Sequence, residues 1–228
     1  KIALIRVDYN VPLNSNLEVS DSTRIKNSLK TINYILNNEG SCILMSHLGR
    51  PKGEGYEKKF SFENITSNIE KEIGKKVTLI KNYINNGSSI KKKINKGSIT
   101  ILENLRFYKE EKLCDEKFSK NLASLADVYV NDAFGSSHRK HASTYSVAQY
   151  FKEKCIGKLI QKELYNINKI LKSKSKPFTA ILGGKKISDK IDIIKKLIKT
   201  VNHIIIGGAM SNTFIKALGG NIGSSLYE

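Results

Sequence analysis

The stretch NDAFGSSHRKHAST at 131–144 sets Arg139 between His138 and His141, in a chain that meets almost every other need for positive charge with lysine. Of its 39 basic residues, 34 are lysines and five are arginines: Arg6, Arg24, Arg50, Arg106 and Arg139. A planar guanidinium grips carboxylate or phosphate with two parallel hydrogen bonds, whereas an ammonium is a flexible point charge, so the few arginines are the informative cations. Three of the four histidines, His47, His138 and His141, lie within three residues of an arginine. Taken singly each has an ordinary structural reading: a loop histidine, a packing arginine, a turn carboxylate before Pro12. Taken together they suit a small, multiply charged anion such as a phosphorylated carboxylate.

The elements that must position these groups are legible as short apolar runs alternating with helical periodicity, the pattern of parallel α/β construction. Strands are predicted at 2–8, 42–46, 77–80, 99–104, 127–132, 178–183 and 203–208. A helix is predicted from Arg24 to Asn38, with Ile25, Leu29, Ile32 and Ile35/Leu36 on one face and Gly40 at its end. Phe118, Leu122 and Leu125 repeat the pattern before the fifth strand, Ile191, Ile194 and Leu197/Ile198 after the sixth with Ser188 as N-cap, and Phe214 with Ala217/Leu218 before Gly219 and Gly220.

Ligands of open parallel sheets sit beyond the carboxyl ends of the strands. The first strand ends in Asp8 and Asn10, the second in SHLGRP with His47 and Arg50, the fourth in ENLRF with Arg106, and the fifth in the 131–144 stretch; Arg24 opens the helix after the first loop. Such a gathering of cations is costly unless an anion neutralises it. Farther on, one strand runs into GGKKISDK and another into GGAMSNTF, glycine turns at helix N-termini that favour phosphate. Neither is a GxxxxGK[ST] loop, and no GxGxxG follows the first strand.

One segment breaks the alternation. Residues 150–171 read as a long, mostly helical connection followed by KSKSKP, giving a domain at 1–150, an interdomain helix at 151–171 and a second domain at 172–228. Two strands and two helices do not cover both faces of a parallel sheet, so the second domain reads as incomplete.

Bulk composition narrows the class further. The formal charge of +18 favours polyanionic partners, but the lysines are dispersed and lack aromatic interleaving or a nucleic-acid module, so no specific nucleic-acid partner is predicted. No apolar run is long enough to span a membrane and the first residues lack a signal-peptide layout. Cys42, Cys114 and Cys155 follow no metal or disulfide spacing, which fits reduced thiols in a cytoplasmic protein.

The stretches RVDYNVPL, DSTRI, SHLGRPKG, LENLRF, NDAFGSSHRKHAST, GGKKISDK and GGAMSNTF…LGGNIGSSLYE resemble, in order and spacing, the phosphoglycerate kinase family over essentially the whole chain. The resemblance implies two Rossmann-like parallel-sheet α/β domains joined by a long helix, in a monomeric, hinge-bending enzyme of glycolysis. It would move a phosphoryl group reversibly between 1,3-bisphosphoglycerate and ADP, giving 3-phosphoglycerate and ATP, with Mg2+ accompanying the nucleotide. By motif, Asp8 and Asn10 would hold the triose hydroxyl and carboxyl region, Arg50, Arg106 and Arg139 its phosphate, and His47 would position it. Arg24 and Lys186 would flank the transferred group, Arg6, His138 and His141 would support the basic patch, and Gly183, Gly184, Lys186, Lys190, Gly207 and Gly208 would face the nucleotide.

Two residues depart from the family pattern: Lys185 stands where a small residue is usual, and Ala209 where a third glycine is often found. The pattern also continues beyond Glu228, through the adenine pocket and an aspartate near magnesium, so this stretch alone is expected to lack turnover. Two rivals remain from residue types alone. A polyanion-binding basic α/β module rests on net charge, and a nucleotide-dependent oxidoreductase lacks its glycine fingerprint and acidic ribose ligand.

Overall fold

The computed structural model of the chain describes residues 1–172 and 176–228, so the predicted boundary run at 172–177 falls partly outside the described residues. The chain forms two compact units, Lys1–Asn168 and Lys169–Glu228. In the first, β1 (Ile2–Arg6), β2 (Ser41–Met45), β3 (Val77–Ile80), β4 (Ile99–Leu102), β5 (Val128–Asn131) and β6 (Glu153–Ile156) alternate with α1 (Thr23–Asn37), α2 (Thr66–Ile73), α3 (Gly87–Lys92), α4 (Lys109–Leu113) and α5 (Glu116–Ala123). Helix α6 (Lys158–Lys172) follows β6.

The first unit carries a six-stranded sheet in the order β3-β4-β2-β1-β5-β6, parallel throughout. Successive side chains of a strand face opposite sides, and the strand sequences are apolar on both. Ala3 and Ile5 of β1 with Cys42 and Leu44 of β2 pack under Ile25 and Ile32 of α1 and Ile69 of α2. Leu4, Ile43 and Met45 point the other way, to Phe118 and Leu122 of α5. The strands run outward from β1 through β2, β4 and β3, then the chain returns to lay β5 against the other side of β1. Ligands of open parallel sheets bind beside such a reversal, beyond the carboxyl ends of the strands, where the loops after β1, β2, β4 and β5 leave the sheet.

All seven predicted strands coincide with observed ones to within two residues at each end; the first, predicted to residue 8, ends at Arg6. The segment predicted as helix from 150 differs more. It contains β6, and α6 starts only at Lys158. Strand β6 is exposed along its length and reads EKCI, so no buried face imposes an apolar alternation; its register comes from backbone pairing of Glu153–Ile156 with Val128–Asn131. The start of α6 is set by side chains elsewhere in the chain: Thr31 Oγ1 accepts from Lys158 N at 2.8 Å, and Asp132 Oδ1 accepts from the amides of Leu159 at 2.9 Å and Ile160 at 3.3 Å. These carboxylate bonds satisfy amides that have no partner inside the first turn. Gly157 is required beside them, because a Cβ there would lie 2.3 Å from the Asp132 carboxyl.

The second unit pairs β7 (Thr179–Gly183) with β8 (His203–Gly207) in parallel, and adds α7 (Ile191–Ile198) and α8 (Ala209–Ala217). Ala180, Leu182, Ile204 and Ile206 are half-buried, while Ile181 and Ile205 on the opposite face are 76% and 53% exposed. One face of this sheet is thus open, as expected for two strands and two helices. Ser188 does not cap α7: its hydroxyl donates to Glu228 at 2.5 Å, and the residue at the N-cap position is Lys190, without a side-chain cap bond. The short turn Ser188–Lys190 separates the serine from the first helical amides.

Candidate functional site

Beyond the strand ends of the first unit the arginines and histidines are assembled from the inside outward. Arg6, the last residue of β1, is 1% exposed. Its Nε donates to Ser143 Oγ at 2.9 Å, Nη1 donates to Val7 O and to Ser46 Oγ, and Nη2 lies 3.1 Å from His47 Nδ1. A guanidinium has no acceptor, so His47 Nδ1 must be the unprotonated nitrogen and the ring proton sits on Nε2. Burial, followed by the charges of Arg6, Arg106 and Arg139, holds the His47 pKa down to about 2.

The loop after β2 is clipped to the loop after β4. Asn104 Nδ2 donates to Leu48 O and Phe60 O, both at 2.8 Å, and Arg106 Nη1 donates to Gly49 O at 2.7 Å. Asn10, from the loop after β1, accepts from Gly49 N at 2.7 Å. Gly49 occupies the left-handed region at φ +64, and a Cβ there would strike the Phe60 ring at 2.3 Å, so three loops meet at a residue that only glycine can be. Burial lowers the Arg106 pKa, reinforced by Arg139, Arg6 and Arg50.

Arg24 lies in the first turn of α1, where the helix dipole disfavours a cation; Asp8 offsets this with an ion pair of 2.7 Å. The Arg24 side chain stays 48% exposed. Arg50, His138 and Arg139 are exposed. No described hydrogen bond or ion pair joins His138 to the others. His141 is half-buried, with its Nδ1 3.8 Å from Glu111 Oε1, and burial together with Arg106, Arg139 and Arg6 lowers its pKa to about 4.

The residue that sequence reasoning missed is Glu111. It is 1% exposed and accepts from both the amide of Ser143, at 3.0 Å, and its hydroxyl, at 2.6 Å. Within KEEKL it looks like one more surface charge, and no local signal marks it. Ser143 and Asn104 do lie inside the stretches singled out above, as does Ser46.

In the second unit the two glycine turns abut one another. Gly183 pairs in register with Gly207, Met210 N donates to Gly184 O at 3.1 Å, and a Cβ on Gly208 would come within 3.3 Å of Gly184 O. Lys190 reaches back over this turn: a Cβ on Gly184 would lie 3.0 Å from its Nζ. Lys185 and Lys186 are exposed, and Ala209 begins α8 half-buried. Among the described residues no group of three or more His, Cys, Asp or Glu could hold a metal ion.

A parallel sheet with a reversal of strand order, flanked by helices and carrying arginines and histidines at four strand ends, defines a doubly wound α/β protein. Residues 1–228 match the sequence profile described as phosphoglycerate kinase. The chain belongs to the phosphoglycerate kinase family. It is 46% identical over 231 residues to the phosphoglycerate kinase of Aquifex aeolicus, covering 100% of this chain and 57% of that one. With the enzyme of Wolinella succinogenes it shares 46% identity over 229 residues, covering 100% and 56%. The solved structure of phosphoglycerate kinase from Coxiella burnetii superposes with a TM-score of 0.84 at 36% identity, covering 100% of this chain and 57% of that one. That from Pyrococcus horikoshii does so with a TM-score of 0.84 at 27% identity, covering 98% and 56%. The chain therefore spans little more than half the length of the relatives it matches.

Proposed function

We propose that the crevice of the first unit binds 3-phosphoglycerate, and that the chain contributes this site to reversible phosphoryl transfer between 1,3-bisphosphoglycerate and ADP. The observation that carries the reading is the convergence, from four strand ends, of Arg6, His47, Arg106 and His141, each close enough to feel the charge of Arg139. A ligand with a phosphate and a carboxylate relieves that repulsion. Arg50, Arg106 and Arg139 grip the phosphate, Asp8 and Asn10 receive the hydroxyl and carboxyl end, and His47 offers its Nε2–H. Arg24, paired with Asp8 yet largely exposed, is placed to follow negative charge as it builds on a phosphoryl group in transfer.

In the second unit the glycine turn before α8 stands at a helix N-terminus, which favours phosphate, and Lys186 and Lys190 are assigned to the nucleotide phosphates, Lys186 toward the group in transfer. Gly183, Gly184, Gly207 and Gly208 let the backbone approach those phosphates. Mg2+ would come with ADP or ATP; the described residues supply no cluster to hold it, and no step here depends on it. The chain is read as acting in the cytoplasm as a monomer.

Arg139→Lys tests the reading. Calorimetric titration with 3-phosphoglycerate should show at least a tenfold weaker affinity, since a charged, two-pronged hydrogen bond is worth about 1.5–3 kcal/mol. Equal affinity in the two proteins would reject the assignment of Arg139.

A further inference from the structure

The cations of the crevice have an obvious task, but the buried carboxylate behind them does not. Glu111 is enclosed on α4, and its two oxygens are both spent on Ser143, at 3.0 Å from the amide and 2.6 Å from the hydroxyl. A serine hydroxyl has one proton to give. Because that proton goes to Glu111, only oxygen lone pairs remain for the Arg6 Nε, 2.9 Å away. The same guanidinium presents Nη2 to His47 Nδ1 at 3.1 Å. Ser143 is 0% and His47 5% exposed, so every link lies out of water, where hydrogen bonds polarise one another and a broken link is costly.

We propose that Glu111 is a positioning residue of the anion site, acting through Ser143 and Arg6 to hold His47 as an Nε2–H donor facing the crevice. The inference rests on reading the crevice as the triose site. Glu111 lies near enough to Arg6 for each to act on the other's charge, but no Glu111 oxygen bonds Arg6; the carboxylate also fixes the orientation of the hydroxyl between them, and loss of the two roles has opposite effects on binding. Removing the charge of a counter-ion would make the crevice more positive and tighten anion binding. Removing a positioning group would weaken it.

The test is Glu111→Gln in the 228-residue chain, beside Ser143→Ala and Ser143→Thr, with two readouts. Long-range 1H–15N correlation spectra of the imidazoles report the His47 tautomer without any ligand. They should show a single Nε2–H form in the parent and in Ser143→Thr, and a mixture of tautomers in Glu111→Gln and Ser143→Ala. Calorimetry with 3-phosphoglycerate should give a roughly tenfold weaker affinity in the same two variants, and no further loss when they are combined, because the residues act in series. Unchanged or tighter binding in Glu111→Gln, or a pure Nε2–H signal in both Glu111→Gln and Ser143→Ala, overturns the proposal. Should the parent fail to bind 3-phosphoglycerate, the functional reading falls and the tautomer spectra alone decide the relay. Should Glu111→Gln fail to fold, the two serine variants carry the comparison.

Discussion

Lowering the pH from 7 to 4.5 is expected to remove on the order of 4 kcal/mol from the stability of the first unit. His47 and His141 are the cause. In the unfolded chain both take up protons near pH 6.5, whereas the fold holds His47 down to about 2 and His141 to about 4. Between the two sets of values the unfolded state binds more protons, so stability falls with pH by about 1.4 kcal/mol per unit for each histidine. Above pH 6.5 the histidines contribute no slope. Below it the loss accumulates, ending near pH 4 for His141 and continuing toward pH 2 for His47. Burial raises the Glu111 and Asp132 carboxyls, which works in the opposite sense and trims the total. Hydrogen exchange at β1 and β2 amides as a function of pH measures the slope directly. His47→Gln should cut that slope by about half between pH 6.5 and 4.5, since one of the two protons is no longer excluded; an unaltered slope would remove His47 from the explanation.

Arg6→Lys is the second large effect. By charge it is conservative, and by the composition of this chain it is the expected replacement. Yet an ammonium cannot reproduce bonds to Ser143 Oγ, Ser46 Oγ, Val7 O and His47 Nδ1 from one buried position. The substitution leaves buried acceptors without donors and a buried cation short of partners, a situation that costs about 3–5 kcal/mol. The urea midpoint of the first unit should fall accordingly, and 3-phosphoglycerate affinity should fall with it as His47 loses its fixed tautomer. A midpoint equal to that of the parent would mean that these bonds contribute nothing to folding.

The contrast between Arg6 and Glu111 explains how much of the site was legible in the residues alone. Arginine stood out because lysine had taken over the ordinary surface, and Arg6 and Arg106 prove to be buried and hydrogen-bonded beyond strand ends. Glutamate carries no such contrast: Glu111 sits beside Glu110 and two lysines, and its partner Ser143 comes from the distant 131–144 loop. The same distinction divides the fold. Strands β2 and β4 are buried on both faces and read as mostly apolar runs, while β6, paired on one edge and exposed along its length, left no pattern to find. The helix α6 was legible as a long, mostly helical stretch, but its start was not, because Thr31 and Asp132 decide it from distant positions.

The open row of Ile181 and Ile205 meets the formal charge of +18 in one consequence for handling the chain. Mutual repulsion keeps molecules apart while the screening length is about 30 Å, near 0.01 M salt, and shrinks to a reach of about 8 Å at 0.15 M. Bare isoleucine surfaces can then touch and stick. Turbidity should therefore climb as sodium chloride is added, so that the gentlest storage buffer for this chain is a dilute one.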